Sequence, residues 1–224
     1  MEGLLGSSDS ISPKEFKAYI DTRTISRKYP EIRAISAYYS PLPPSLKKPQ
    51  PTMFSKTYGS EDLGLSGYEI FFDSKRRAAM QTALETGKVS ITERLAIAPD
   101  ELNSSDWGFV MFVPLFSKVP THSGGQRTDS LGWISVTVRT ADFMNVLGHK
   151  SSRIGTEIYC GDTARPDRAI FDSHASQRKN RAESEYRQTR NLPIFNREWT
   201  IATQPLPEAV KSANNYRLHI IAVT

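Results

Sequence analysis

Three strand-like segments follow one another between residues 89 and 139 with no helical segment between them. They are Val89–Ile97, Gly108–Phe116 and Trp133–Arg139, each rich in β-branched or aromatic residues. Parallel neighbours need a crossover of roughly a dozen residues or more, usually a helix. Consecutive strands with short connections therefore predict an antiparallel sheet and exclude a run of βαβ units.

The flanking segments complete the pattern. Ser12-Pro13-Lys14-Glu15 reads as a helix start: Ser12 caps, Pro13 suits the first helical position and Glu15 reaches back. Phe16, Tyr19 and Ile20 share one face of that helix, which is expected to run to Pro30. Ile32 to Tyr39 predicts a strand. Pro41, Pro43, Pro44, Pro49 and Pro51 make a loop that continues neither helix nor sheet. A further candidate strand precedes a helix over Ser74–Thr86, which has Asp73 as cap, Ala79, Met80, Ala83 and Leu84 as apolar stripe, and Gly87 as C-terminal stop. Lys118 to Ser130, with Gly124-Gly125, reads as a mobile hairpin connection. A short helix from Thr140 through Leu147, closed by Gly148, leads to strand-like runs at Thr156–Cys160, Ala169–Phe171, Trp199–Thr203 and Leu218–Val223. Ser176 to Arg190 is polar and mixed in charge, and no internal repeat is visible. The fold class is α+β: an N-terminal helix followed by two PAS-like antiparallel-sheet modules. The divisions fall at residues 1–30, 31–140 and 141–224.

Composition removes several functions. The 13 Gly and 14 Pro are an ordinary share, so a collagen-like chain is excluded. The single Cys160 forms no internal disulfide and supports no multi-cysteine zinc site. His122, His149, His174 and His219 show no metal-binding spacing, so neither metal nor cofactor is expected. No apolar run is long enough to span a bilayer, and Met1 to Asp9 lacks the form of a signal peptide. No nucleophile elbow, P-loop or dinucleotide fingerprint is present. Asp172-Ser173-His174 holds the residue types of a catalytic triad, but three consecutive positions read better as a strand-end turn. The pairs Glu61/Asp62 and Glu183/Glu185 read as solvated surface. The net charge of +5 raises nucleic acid as a partner. Lys75-Arg76-Arg77 and the cluster Arg178, Lys179, Arg181, Arg187 and Arg190 lack an aromatic stacking ladder, and the second is interleaved with acids. A solvated face, or one towards anionic lipid heads, explains them better.

The aromatic residues are more informative. Phe109, Met111 and Val113 alternate along one strand face, with Val110 and Phe112 on the other. Tyr38, Phe54 and Trp133 belong to other strands of the same sheet. Such a sheet either packs as an ordinary core or encloses a small molecule. Thr92 is the polar residue of an apolar strand, and is a ligand anchor, exposed, or bonded to backbone.

These pieces, in order, resemble the CHASE domain, the extracytoplasmic sensor of cytokinin receptors and many bacterial transmembrane signalling proteins. The residues are Gly3 to Asp9, Ser12 to Phe16, Tyr29-Pro30-Glu31-Ile32, Gly67-Tyr68-Glu69, Asp73 to Met80 and Gly87 to Thr92. Trp107-Gly108-Phe109, Pro114, Gly132-Trp133 and Asp142-Phe143 continue the match, which thins through Tyr159, Asp172-Ser173 and Trp199-Thr200. The resemblance implies a stalk helix ending within residues 1–30, a membrane-distal ligand-binding module over 31–140, and a membrane-proximal module over 141–224. It implies a periplasmic, non-catalytic sensor between two membrane helices, homodimeric in the intact receptor, with a histidine kinase or cyclic-di-GMP enzyme as output. Residues 218–223 would then lead to the second membrane helix. Carried over residue by residue, it makes Thr92, Phe109, Met111, Val113, Gly132 and Ser135 ligand-binding candidates, beside Tyr38 and Phe54. The adenine-reading acid of plant receptors has no secure match near Ser60, Glu61 and Asp62, so a ligand other than cytokinin is expected. The rival reading is a dimerisation or protein-interaction module without a small ligand.

Overall fold

The structure, a computed structural model, describes residues 13–39, 52–58, 73–97, 107–120, 126–147, 153–175 and 185–212. The chain divides into two compact units, residues 1–143 and 144–224.

The first unit opens with α1 (Pro13–Thr22) and the single turn α2 (Ile25–Lys28). The helix expected to reach Pro30 breaks earlier. Thr24 adopts a left-handed conformation, φ 51°, and the N–H groups of Arg23 and Thr24 tighten onto Ile20 and Asp21 three residues back. Phe16 and Ile20 are buried against Ile35, Ala37 and Ile134 on one face of the sheet.

That sheet contains β1 (Ile32–Tyr39), β2 (Thr52–Thr57), β3 (Ser90–Ile91), β4 (Leu95–Ala96), β5 (Trp107–Pro120) and β6 (Gln126–Arg139). Its order is β2-β1-β6-β5-β3, with β4 also on β5, and every pairing is antiparallel. The expected strand 89–97 is split. Between β3 and β4 the ladder is bridged by Thr92, whose N–H donates to Val110 O and whose Oγ1 accepts from Val110 N–H, both at 3.0 Å.

The segment expected as a loop between Lys118 and Ser130 is mostly strand, with pairing that continues to Pro120–Gln126. The hairpin bends where Leu115 faces Gly132 but Phe116 faces Ser130, leaving Leu131 as the extra residue of a bulge. Gly132 takes φ 129° there, a conformation open to glycine. Beyond the bulge the two strands pair only with each other among the described residues.

Helix α3 (Ser74–Thr86) covers the other face of the sheet. It forms as its sequence predicts: Asp73 accepts from the Arg76 N–H at 2.9 Å, and Gly87 closes it at φ 64°. Ala79, Met80 and Ala83 are buried against Ala34, Tyr38, Val110, Phe112 and Trp133. Each large apolar side chain so buried contributes about 1.5–3 kcal/mol. The indole Nε1 of Trp133 donates to Met80 O at 3.0 Å, which ties helix to sheet. β6 runs without a loop into α4 (Thr140–Val146); Gly148, the expected stop, lies outside the described residues. Asp142 on α4 sits 3.5 Å from Arg33 Nε and 3.8 Å from Arg139 Nη1.

The second unit holds a four-stranded antiparallel sheet in the order β8-β7-β10-β9. Its strands are β7 (Ile154–Cys160), β8 (Ala169–Asp172), β9 (Gln188–Ile194) and β10 (Arg197–Pro205), with a 3-10 turn at Pro166–Arg168. The β9 strand is absent from the sequence reading, which stops at a polar stretch ending at Arg190. It is an edge strand exposed on almost every residue, so no apolar alternation marks it. Phe195 and Asn196 join it to β10 with φ of 44° and 66°, the signature of a tight primed hairpin turn. The single cysteine, Cys160, is buried and forms no disulfide. Residues 218–223, expected as a strand, lie outside the described residues.

Candidate functional site

Register brings together residues that are far apart in sequence. Ser36 on β1 stands opposite Ser55 on β2 and Ser135 on β6; Ser135 stands opposite Phe112 on β5, and Phe112 opposite Ser90 on β3. Directly opposed residues share a face, so Ser55, Ser36, Ser135, Phe112 and Ser90 form one row across the sheet. The row lies on the α3 side, because Phe112 packs there with Tyr38, Ala79 and Ala83. Ser36, Ser90 and Ser135 are only 1–2 % exposed. The next row runs Ala34, Thr137 and Val110, with Thr137 also buried, and ends at the Thr92 bridge.

Burying hydroxyls in a sheet core is unfavourable unless they are bonded. Ser36 Oγ donates to Ser55 Oγ at 3.0 Å, and Ser135 Oγ approaches the Tyr38 hydroxyl at 3.5 Å. Tyr38 is almost wholly buried, its ring 6.3 Å from that of Phe112. Burial pushes the Tyr38 hydroxyl above its usual pKa, opposed by the bond to Ser135. It is therefore a neutral donor and acceptor at physiological pH. The row offers hydroxyls that both give and take hydrogen bonds, next to small side chains of sheet and helix. Such a surface suits a neutral polar molecule and lacks the paired acid and base of a catalytic centre.

The eight candidate residues do not converge. Tyr38 and Ser135 lie on the α3 face, and Thr92 ends the adjacent row with its Oγ1 accepting a backbone N–H. Phe109, Met111 and Val113 have the opposite parity and lie on the α1 face. Phe109 meets Phe143 edge-on at 6.5 Å, Met111 is half-buried, and Val113 is 36 % exposed. Phe54 stands opposite Ala37, on that same side by register, and its side chain lies outside the described residues. Gly132 serves the bulge. Ser60, Glu61 and Asp62 lie outside the described residues. Ser36, Ser55, Ser90 and Thr137 escaped the sequence reading; the signal that would have found them is a hydroxyl at matching parity in four separate strands.

The Asp172-Ser173-His174 segment is a strand-end turn. Ser173 Oγ accepts from the Thr156 N–H at 2.9 Å and lies 2.8 Å from His174 Nδ1. Asp172 Oδ1 accepts the main-chain N–H of His174 at 2.9 Å, so this carboxylate oxygen braces the turn and not the imidazole. Of the basic cluster, Arg187 is turned to Glu157 at 2.8 Å, while residues 178–181 lie outside the described residues.

No helix among the described residues is long and apolar enough to cross a membrane. No curated protein matches the chain. Eight chains of solved structures do. One is "the extracellular domain of the putative histidine kinase soHK1S-Z6", with a TM-score of 0.50 and 14% identity over 90% of this chain and 80% of that one. At that identity the likeness establishes the fold. The family model of the CHASE domain matches residues 51–171, which include α3, both sheet hairpin strands and the start of the second sheet. The chain therefore belongs to the CHASE domain family, the extracellular sensors of membrane receptors in signal transduction.

Proposed function

We propose that this domain senses a small, neutral, polar molecule on the α3 face of the first sheet, on the extracytoplasmic side of the membrane. The serine row Ser55–Ser36–Ser135–Ser90, buried at Ser36, Ser135 and Ser90 and half-buried at Ser55, supports this reading. A packed core gains nothing from serines where Ala or Val would fill the space without desolvating a hydroxyl. Binding between the row and α3 favours one arrangement of that helix and of the segments leading to the membrane. The ligand's differential affinity for the two arrangements shifts the output. The likeness to a histidine kinase ectodomain favours a histidine kinase as output, with a cyclic-di-GMP enzyme as the alternative, in a homodimeric receptor.

The test is thermal unfolding of this chain against neutral polar metabolites. A ligand at about a hundred times its Kd adds about 2.7 kcal/mol and raises the Tm by several degrees. Ser135→Leu fills the row and is expected to abolish the shift while the fold persists by circular dichroism. Absence of any shift, or a shift unchanged in Ser135→Leu, overturns the proposal.

A further inference from the structure

The two sheets share a strand order up to one edge. In each, the first strand has the second on one flank and the last on the other, with the last strand's predecessor outside it: β2-β1-β6-β5 and β8-β7-β10-β9. In the first sheet β3 then pairs outside β5, whereas among the described residues nothing pairs outside β9. All six residues from Gln188 to Pro193 are exposed, so this edge is open to another chain.

Register fixes which main-chain groups the edge offers. The two-residue turn Phe195–Asn196 is closed by Ile194 and Arg197, so Ile194, Leu192, Arg190 and Gln188 direct their N–H and C=O to β10. Thr189, Asn191 and Pro193 direct theirs outward. Two observations agree with this. Glu198, opposite Pro193, turns its C=O away from β9 and accepts the Gly161 N–H at 2.8 Å. Pro193, which has no N–H, sits at an outward position, where no ladder bond is lost. The Asn191 side chain leaves its outward main-chain groups uncapped: Nδ2 donates to Asp162 O at 3.2 Å, and Oδ1 lies 3.0 Å from Thr200 Oγ1.

The strand is complementary to a second copy of itself. Asn191 is the middle of the seven residues Gln188–Ile194, so an antiparallel copy centred on it overlaps the whole strand. Asn191 then exchanges N–H and C=O with Asn191 of the second copy, and each Thr189 N–H donates to the other copy's Pro193 carbonyl. Arg190 faces Leu192 of the other copy, and its aliphatic stem covers a side chain that is 41 % exposed. A centre at Arg190 opposes two guanidinium groups, and a centre at Leu192 sets Pro193 against Asn191 and halves the bonds. A centre at Thr189 runs the second copy into the turn at Glu185–Tyr186. We infer that β9 is a homodimer surface, on which two copies pair antiparallel about a two-fold axis at Asn191 and join their four-stranded sheets into one. This names a surface for the homodimer proposed above and rests on neither the serine row nor a ligand there.

The test is the oligomeric state of this chain by sedimentation velocity at about 10–200 µM, where a concentration-dependent dimer is expected. Leu192→Arg opposes a like charge to Arg190 at two symmetric contacts and is expected to weaken the dimer about tenfold or more. Adding Arg190→Glu to that variant places opposite charges in the same two pairs and restores the dimer. Thr189→Pro removes an outward N–H without touching a bond to β10, and is expected to weaken the dimer while circular dichroism stays unchanged. Ser135→Leu, which tests the ligand, leaves the dimer intact. A monomer throughout the range overturns the inference. A dimer unmoved by both Leu192→Arg and Thr189→Pro lies on another surface and overturns it equally. Failure of Arg190→Glu to restore the Leu192→Arg dimer overturns the pairing about Asn191.

Discussion

Thr92→Val separates two roles that one hydroxyl could play. Thr92 is fully buried, and its Oγ1 takes the Val110 N–H at 3.0 Å in the gap between β3 and β4. Valine keeps the shape and removes that acceptor, so a buried main-chain donor is left unsatisfied. Such a loss costs about 1–3 kcal/mol, and the added methyl returns less than about 0.8 kcal/mol of it. The net loss of about 1–2 kcal/mol lowers the Tm of a chain this size by about 2–8 °C. Thr92→Ser keeps the acceptor and loses one methyl, so it should lose only about 1 kcal/mol. The assay is urea unfolding of the three proteins, with circular dichroism and tryptophan fluorescence compared for coincidence. A Thr92→Val protein as stable as the parent, or a Thr92→Ser protein weaker than Thr92→Val, refutes the bridging role. A neutral Thr92→Val that nonetheless loses ligand response would move the hydroxyl to the ligand.

Other perturbations read neighbouring parts of the first unit. Trp133→Phe removes the bond from Nε1 to Met80 O and is expected to cost about 1–3 kcal/mol in chemical unfolding; an unchanged midpoint would show that the tie contributes nothing. Burial raises the Tyr38 pKa above its usual value of 10.0, so the folded chain holds this proton where the unfolded chain releases it. That stabilisation is complete below about pH 10 and is lost as pH rises towards the raised folded value. Tyr38→Phe should therefore flatten the alkaline decline of stability, and an identical decline in parent and variant would contradict this. Asp142→Asn leaves Arg33 and Arg139 without the carboxylate between them. It should cost about 0.5–1 kcal/mol at low salt and less at high salt, as a partly exposed ion pair does; a salt-independent cost points to packing instead.

What the sequence disclosed follows from the range of the forces involved. The ends of α3 are set by Asp73 and Gly87, residues adjacent to the helix, and both were readable. The helix break at Thr24 was not, because a threonine at positive φ is held by its surroundings and carries no local signature. Strand β1 was legible from its β-branched and aromatic residues, whereas β9, exposed on both faces and carrying Pro193, was not. The site suffered most. Alternation shows that Phe109, Met111 and Val113 share a side, but not which helix covers that side. The serine row depends on register across four strands, and register is fixed by pairing between segments up to about a hundred residues apart.

The bulge at Leu131-Gly132 marks an energetic boundary as well as a bend. On one side, β5 and β6 lie inside a six-stranded sheet with a helix against each face. On the other, Phe116–Pro120 and Gln126–Ser130 form a two-stranded ribbon among the described residues, and an isolated ribbon is marginally stable in water. One hairpin therefore holds two populations of amide protons. Those before the bulge exchange with solvent only when the sheet opens as a whole, and those beyond it exchange through local fraying. Hydrogen exchange should change rate sharply between Leu115 and Phe116. The same step marks where cooperative unfolding of the first unit ends and a separately melting arm begins.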